Sequence, residues 1–586
     1  MENLVYFEYA VAGIIRYWLL NSDYKQTIGD RVEISTPLNS WKKVTEGAYL
    51  YNEGISPYLG DNFHETPLGL IVFEKMIRHI PQWIGIIFIL TDLLTAHILY
   101  QTAKAFMREL YSRQMREKDR YAKDAETLLL KEADLTLPPL YVASAYLFNP
   151  YIIFSCVGQT TTVFANLCLA FTYLLMIKVE NVLRILQRAR SFHRLRDKPI
   201  AGDDCLFTSS RSLAIDLQSM LSLRTRWIAL ALHYVSRVCG PLTSGSRQKI
   251  LNAYAAICKD FPSYTIDQCV TKMAKMMFVS KATVYRINAE WKKNKLRRTQ
   301  ELVPNSSTSL LFTPGKKKKK KNSIVTRQKL ACCCILAIAT FQSLYPVTLL
   351  VPASIYLAQA EREKSLDGTK TLSTRSIITT VIIFVTALAA LLYISSELSG
   401  GWDFIHATYG FILNVPDLRP NVGLFWYFFT EMFENFRLLF ICAFQINAAL
   451  LYLVPLTLRL HDEPMLLAAS LTALMAIFKS YPSLGDVGFY LALLPMWKHL
   501  FNYMQQGFVV GCFFLITSVM GPIVWHLWIY SRSANANFYF GVTLAFATAQ
   551  IFLVTDILFA YIKREFSLYH GLRREVNGKT TKLVLE

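Results

Sequence analysis

Residues 421 to 454, NVGLFWYFFTEMFENFRLLFICAFQINAALLYLV, form an apolar and aromatic run of 34 residues with Glu431, Glu434 and Arg437 set inside it. About 20 apolar residues of helix cross a bilayer core, so the run exceeds one ordinary span. An ionisable group facing lipid costs at least ~2.5 kcal/mol, so these charges must face protein, a cavity or each other. Spacings of three place them roughly along one face of a helix. Two readings follow: a structural ion pair inside a helix bundle, or a polar wall lining a ligand cavity.

The rest of the chain has the same character. Over 586 residues, 53% are hydrophobic and 13% aromatic, too apolar for a soluble protein of this size. Apolar segments that span or re-enter are expected at about 4–20, 80–100, 138–158, 161–178, 330–358, 376–397, 421–454, 464–479, 485–503, 506–529 and 538–562. With breaks at prolines such as Pro346 and Pro352, the expected architecture is an all-α polytopic membrane protein of roughly 10–12 spans. Glu2 and Glu8 stand where a cleavable signal peptide would carry its basic region, so none is expected.

Charge divides the chain sharply. Residues 181–329 hold 30 lysines and arginines against 8 acids, a net of +22, which leaves the remainder with 32 against 34. The basic character therefore belongs to one insertion, and the remainder is a nearly neutral membrane body. Among the short loops, 101–137 carries Lys104, Arg108, Arg113, Arg116, Lys118, Arg120, Lys123 and Lys131, whereas 21–68 has only Lys25, Arg31, Lys42 and Lys43. The positive-inside rule places the first in the cytosol and the second on the exoplasmic side. If 330–358 enters and returns as a broken pair, 398–420 and the turn SRSANAN (531–537) fall on the exoplasmic side. Both termini are then cytosolic, in keeping with Lys563, Arg564, Arg573 and Arg574 in the tail.

The expected domains are an N-terminal membrane bundle (1–180) with exoplasmic loop 21–68, a partly disordered basic cytosolic insertion (181–329), a C-terminal membrane bundle (330–562) and a cytosolic tail (563–586). Within the insertion, residues 246–298 read as helix, turn, helix, with Lys281, Tyr285, Arg286, Lys292 and Lys293 on an exposed face. This segment resembles the helix-turn-helix domains of transposases, although a multi-span membrane chain has little use for nucleic acid. The flanking Ser/Thr-rich stretches and the run Lys316 to Lys321 read as low-complexity linkers. The insertion is read as foreign, a mobile-element fragment or translated intron, with a regulatory loop as the alternative.

With that segment set aside, the chain resembles the PIG-U family, a subunit of the GPI transamidase complex. The resemblance runs through RVEISTPLNSWKKVTEGAYL (31–50), GISPYLGDNFHETPL (54–68), FNPYIIFSCVG (148–158) and FQSLYPVTLLVP (341–352). It continues through WDFIHATYGFILNVPDLRPNVGLFWYFFTEMFENF (402–436), IFKSYPSLGDVGFY (477–490), WHLWIYSRSANANF (525–538) and YIKREFSLYHGL (561–572). It covers nearly all of the membrane body in order and implies a non-catalytic subunit with a fold like the GT-C glycosyltransferases, in the endoplasmic-reticulum membrane. Such a subunit would bind or present the GPI lipid, and help receive the attachment signal, beside subunits that supply the cysteine protease and the scaffold. An insertion at 181–329 departs from the family pattern, where a short cytosolic turn is expected.

A GPI lipid joins apolar chains to a phosphorylated glycan, so its receptor needs a lipid-accessible groove capped by hydrogen-bonding groups. Asn535 and Asn537 stand where that cap is expected. The resemblance makes them GPI-binding, and alternate spacing in an extended turn would let both amides face one side. The competing reading is that Ser533 and the asparagines cap the helix beginning near Phe538.

Glu33, Asp61, His64 and Glu65 on the exoplasmic loop invite a rival reading as a sugar transferase using a polyprenyl-phosphate donor. However, the loop has no adjacent acidic pair, and HET at 64–66 lacks the HExxH spacing of a zinc site. Asp92, Lys479, Asp486 and Asp556, near span ends, are the candidates for a transporter's relay. Of 11 cysteines, Cys156, Cys168, Cys332, Cys333, Cys334, Cys442 and Cys512 lie in apolar segments, and Cys205, Cys239, Cys258 and Cys269 in the insertion. Neither a disulfide framework nor a nucleophile is assigned, and no cofactor or metal is expected. Asn305 heads a glycosylation sequon that a cytosolic location would leave unused.

Overall fold

Met432 and Phe433 divide the 421–454 run. Both adopt extended backbone, ending a short helix at Glu431 and opening another at Glu434. In the computed structural model, which describes residues 2–177, 315–362, 374–572, 575–576 and 579–580, the run continues into the spanning stretch Glu434–Arg459, which contains a π-helical turn over Asn447–Leu451. Glu431 therefore stands before the break and does not share a continuous helix face with Glu434 and Arg437, contrary to expectation. Glu434 sits in the first turn of the new helix, where the dipole favours an acid, and pairs loosely with Arg437 at 3.9 Å. Arg437 also donates to the Val415 carbonyl at 3.0 Å. This is the structural ion-pair reading, at an exposed corner.

The main helices are α1 (Glu2–Leu20), α2 (Tyr24–Gly29), α3 (Trp41–Asn52), α4 (Pro67–His79), α5 (Ile84–Glu117), α6 (Leu137–Leu147), α7 (Pro150–Val157) and α8 (Thr162–Ile177). After the undescribed stretch come α9 (Gly315–Ser343), α10 (Leu350–Arg362), α11 (Thr374–Ser399), α12 (Phe425–Glu431) and α13 (Glu434–Ile446). The last are α14 (Pro464–Phe478), α15 (Leu484–Leu493), α16 (Gly507–Ile529) and α17 (Ala536–His570), followed by a two-strand pair, Glu575–Val576 with Lys579–Thr580. The chain is an all-α polytopic membrane protein. Five helical stretches among the described residues are long and apolar enough to cross alone: Pro81–Arg120, Thr374–Ser399, Glu434–Arg459, Gly507–Ile529 and Ala536–His570. The bent pair α6–α7, broken by 46°, makes a sixth. Several other expected segments occur as shorter or broken helices.

Packing explains that division. α14 is apolar on every side and buried from Pro464 to Ile477, the pattern of a helix surrounded by others. At 15 residues it is about 22 Å long, too short to span a bilayer core alone. By contrast, α11 and the Glu434–Arg459 stretch expose most of their apolar residues, the pattern of helices against lipid. α9 and α10 form the expected broken pair, turning at Leu344 and a 3₁₀ segment over Tyr345–Leu349. Lys329 on α9 reaches Glu361 on α10 at 3.4 Å, so the second leg returns to the end where the first began.

Residues 1–192 and 316–586 form one compact unit, in which helices from both parts of the chain interleave. Loop 21–68 shares its end with 398–420, since His64 donates to the Ala407 carbonyl, and with the residues just before the turn 531–537, since Asp23, Gln26, Asp30 and Arg31 line one chamber with Trp525, His526 and Tyr530. Residues 118–128 share the other end with the close of α17, through Ala122 to Leu568 and Arg564 to Leu128. The lysine run 316–321, expected in a linker, begins α9 instead. The second unit, 193–315, lies outside the described residues except for Gly315, as do the helix-turn-helix segment 246–298, Asn305 and the four insertion cysteines.

Candidate functional site

A cavity of about 340 Å³ opens between the first loop, α7, α16 and α17. Its walls follow from local sequence. Pro522 sits inside α16 and removes a backbone donor, while Thr517 and Ser518 one turn earlier bond back to the Phe513 and Phe514 carbonyls. Proline and back-bonded hydroxyls both favour bending of a helix, and Gly521, whose β-position lies nearest Glu33, leaves α16 without bulk toward the first loop. Tyr151 of α7 bonds Ser518, joining the two walls. Phe154, Val542 and Phe546 supply an apolar interior.

Arg31 and Glu33 lie at the mouth. The Glu33 carboxylate is buried; its Oε1 accepts a long hydrogen bond from Nη2 of the partly exposed Arg31 at 3.5 Å, and its Oε2 stands 3.3 Å from Arg31 Nε without closing a second. The Tyr539 hydroxyl, also buried, lies beside Glu33, again without a well-aligned hydrogen bond. The backbone beneath is firm: Leu484 holds the Glu33 carbonyl at 3.0 Å. Beyond Arg31 opens a vestibule of about 490 Å³, lined by Asp23, Gln26, Asp30, Trp525, His526 and Tyr530. His526 and Tyr530 stack with centroids 5.3 Å apart. An apolar cavity thus meets a polar, aromatic chamber, with Arg31 bordering both.

Asn535 and Asn537 lie next to this site, in a geometry other than the expected one. Asn535 is the N-cap of α17, its Oδ1 accepting from the Asn537 and Phe538 amides at 3.1 and 3.3 Å. Asn537 is already in the first helical turn, so the two side chains do not alternate along an extended strand. Its Oδ1 accepts from the Tyr427 hydroxyl at 2.6 Å. Ser533 does not cap, its hydroxyl pointing to the Leu527 carbonyl. Both asparagines remain exposed.

The candidate acids of the first loop do not converge. Glu33 faces the apolar cavity and Asp61 is exposed, whereas His64 and Glu65 line a separate cavity of about 90 Å³ with Lys479 and Asp486. His64 donates Nδ1–H to the Ala407 carbonyl at 2.8 Å and stacks on Phe411, and burial lowers its pKa to about 4. Burial pushes Glu65 up to about 7, against a hydrogen bond from Thr161. The relay candidates also part company. Asp92 pairs with Arg16, Lys479 with Asp486 at 2.6 Å, and Asp556 accepts from the Gln505 and Gln506 amides before α16. Sequence reasoning missed Tyr539 and the vestibule aromatics. The signal available was WHLWIY, an aromatic cluster directly before a polar turn.

A family model described as GPI transamidase subunit PIG-U matches residues 10–247 and 321–546. The unmatched 248–320 holds most of the helix-turn-helix-like segment. The chain is 32% identical over 579 residues to the GPI-anchor transamidase component PIGU of Homo sapiens, covering 98% of each protein, with the same figures for the Mus musculus protein. The GPI transamidase component GAB1 of Saccharomyces cerevisiae is 32% identical over 234 residues, 40% of this chain and 56% of the yeast protein.

Proposed function

Since the chain belongs to the PIG-U family of GPI transamidase subunits, we propose that it is a non-catalytic member of that complex which binds the GPI lipid and presents it for attachment. The observation that carries this reading is the apolar cavity between α16 and α17, open past Arg31 to a polar, aromatic vestibule, with Asn535 and Asn537 exposed alongside. A glycolipid has that same division of character. The scatter of Glu33, Asp61 and the His64–Glu65 pair over separate sites favours binding over sugar transfer. The complex would supply the cysteine protease from another subunit. The membrane would be that of the endoplasmic reticulum, with the first loop and vestibule lumenal and both termini cytosolic.

Complementation of PIG-U-deficient cells tests this. The full chain and a version lacking residues 181–327 are compared for surface GPI-anchored protein and accumulated free GPI. Rescue by the shortened version is expected. Failure of both, despite normal membrane insertion, would remove the transamidase role. Loss of sugar transfer in membranes carrying Glu33→Gln would favour the transferase instead.

A further inference from the structure

The polar atoms at the cavity mouth lack good partners in a place where burial makes that costly. Glu33 is 6% exposed and Tyr539 1%, and the Tyr539 hydroxyl faces Glu33 in a pairing too poorly aligned to satisfy either group. Buried polar groups left without full partners are usually completed by water or ligand. The Arg31 pairing is equally incomplete, at 3.3 Å and 3.5 Å to the two carboxylate oxygens, longer than the usual charge-assisted contact. Arg31 is the more exposed partner and borders both chambers, whereas Glu33 is fixed by its backbone to Leu484. The guanidinium can therefore turn to a new anion while the carboxylate stays.

The groups have distinct appetites. A guanidinium takes a phosphodiester, a carboxylate only accepts and so takes hydroxyl donors, and a tyrosine hydroxyl does either. The cavity beneath is apolar and suits an acyl chain. Building on the lipid-binding reading above, we propose that Arg31, Glu33 and Tyr539 read the phosphoinositol of a bound lipid: Arg31 takes the phosphodiester, Glu33 and Tyr539 take ring hydroxyls, and one acyl chain enters between α16 and α17. Choline and ethanolamine phospholipids share the phosphate and lack the hydroxyls.

The test uses the full chain in detergent micelles and phosphatidylinositol with a fluorescent acyl chain, competed by unlabelled phosphatidylinositol or phosphatidylcholine. Wild type is expected to prefer phosphatidylinositol by roughly tenfold or more, the worth of one charged hydrogen bond. Glu33→Gln should erase the preference while phosphatidylcholine still competes, and Arg31→Gln should weaken both lipids. Gly521→Leu and Val542→Phe, which fill the cavity, should abolish binding in chains whose size-exclusion profile is unchanged. If the filled variants bind like wild type, the lipid site itself is wrong. If they lose binding but Glu33→Gln and Arg31→Gln leave headgroup preference intact, the lipid site stands and the phosphoinositol assignment fails.

Discussion

Asn535 shows how one side chain serves structure and recognition with different atoms. Its carbonyl oxygen caps α17, while its amide nitrogen remains at the surface. Asn535→Ala should cost about 1 kcal/mol of stability, whereas Asn535→Asp keeps the capping oxygen and should cost little. If the amide contacts the glycolipid, both variants should lower GPI attachment in complemented cells, and only the alanine variant should lower the thermal midpoint in detergent. The cap was readable from SANAN as one of two alternatives. The Tyr427 partner of Asn537 was not, because nothing local marks a contact 110 residues away. Glu65 gives a second residue-scale expectation. Its pKa rises on folding from 4.5 to about 7, so its contribution to stability is fully present below pH 4.5 and lost as pH climbs through 7. His64 runs oppositely, its contribution present above pH 6.5 and lost as pH falls through about 4. Glu65→Gln should therefore gain thermal midpoint relative to wild type between pH 5 and pH 8. A constant difference across that range would contradict the assignment.

At the scale of elements, the sequence marked where apolar helices lie better than where they stop. The break at Met432–Phe433 carries no proline, glycine or Asx signal, so composition alone joined α12 to α13. Where a breaker was present, as at Pro346, the turn between α9 and α10 was legible. Close helix packing was hidden for a related reason, since a glycine shows its role only when its neighbour is known. A β-carbon on Gly488 of α15 would lie 2.7 Å from Ile152 of α7, the helix whose Tyr151 and Phe154 wall the lipid cavity. Gly488→Ala should thus destabilise by about 1–3 kcal/mol through overpacking. Gly541 on α17 has open space around its β-position, and Gly541→Ala should stabilise by about 0.5–1 kcal/mol. Thermal midpoints of the two variants in detergent should move in opposite directions.

For the whole molecule, the order of segments and their grouping at two ends could be read from hydropathy and loop charge, because a bilayer imposes both. What could not be read was which helices meet across the bundle, and the buried pair of Arg16 and Asp92 is the sharpest case. Arg16 Nε meets Asp92 at 2.6 Å with both side chains fully enclosed, and Tyr146 donates to the same carboxylate at 2.9 Å. The remaining nitrogen contacts of Arg16 include the Leu147 carbonyl at 2.9 Å. Asp92→Asn should destabilise the chain by about 3–5 kcal/mol by stranding the buried guanidinium, and Arg16→Met combined with Asp92→Leu should recover most of it. Detergent-extracted yield of the monodisperse chain would report both. The same pair also sets a schedule for synthesis. The ribosome delivers α1 well before residue 92, and still earlier than Tyr146 and Leu147. Until those residues emerge, Arg16 has no counter-charge, and releasing α1 into lipid alone would carry the ~2.5 kcal/mol or more of an unpaired cation. The first helix therefore has reason to wait at the translocation machinery until its later partners arrive, so that roughly the first quarter of the chain is committed to the membrane as one parcel.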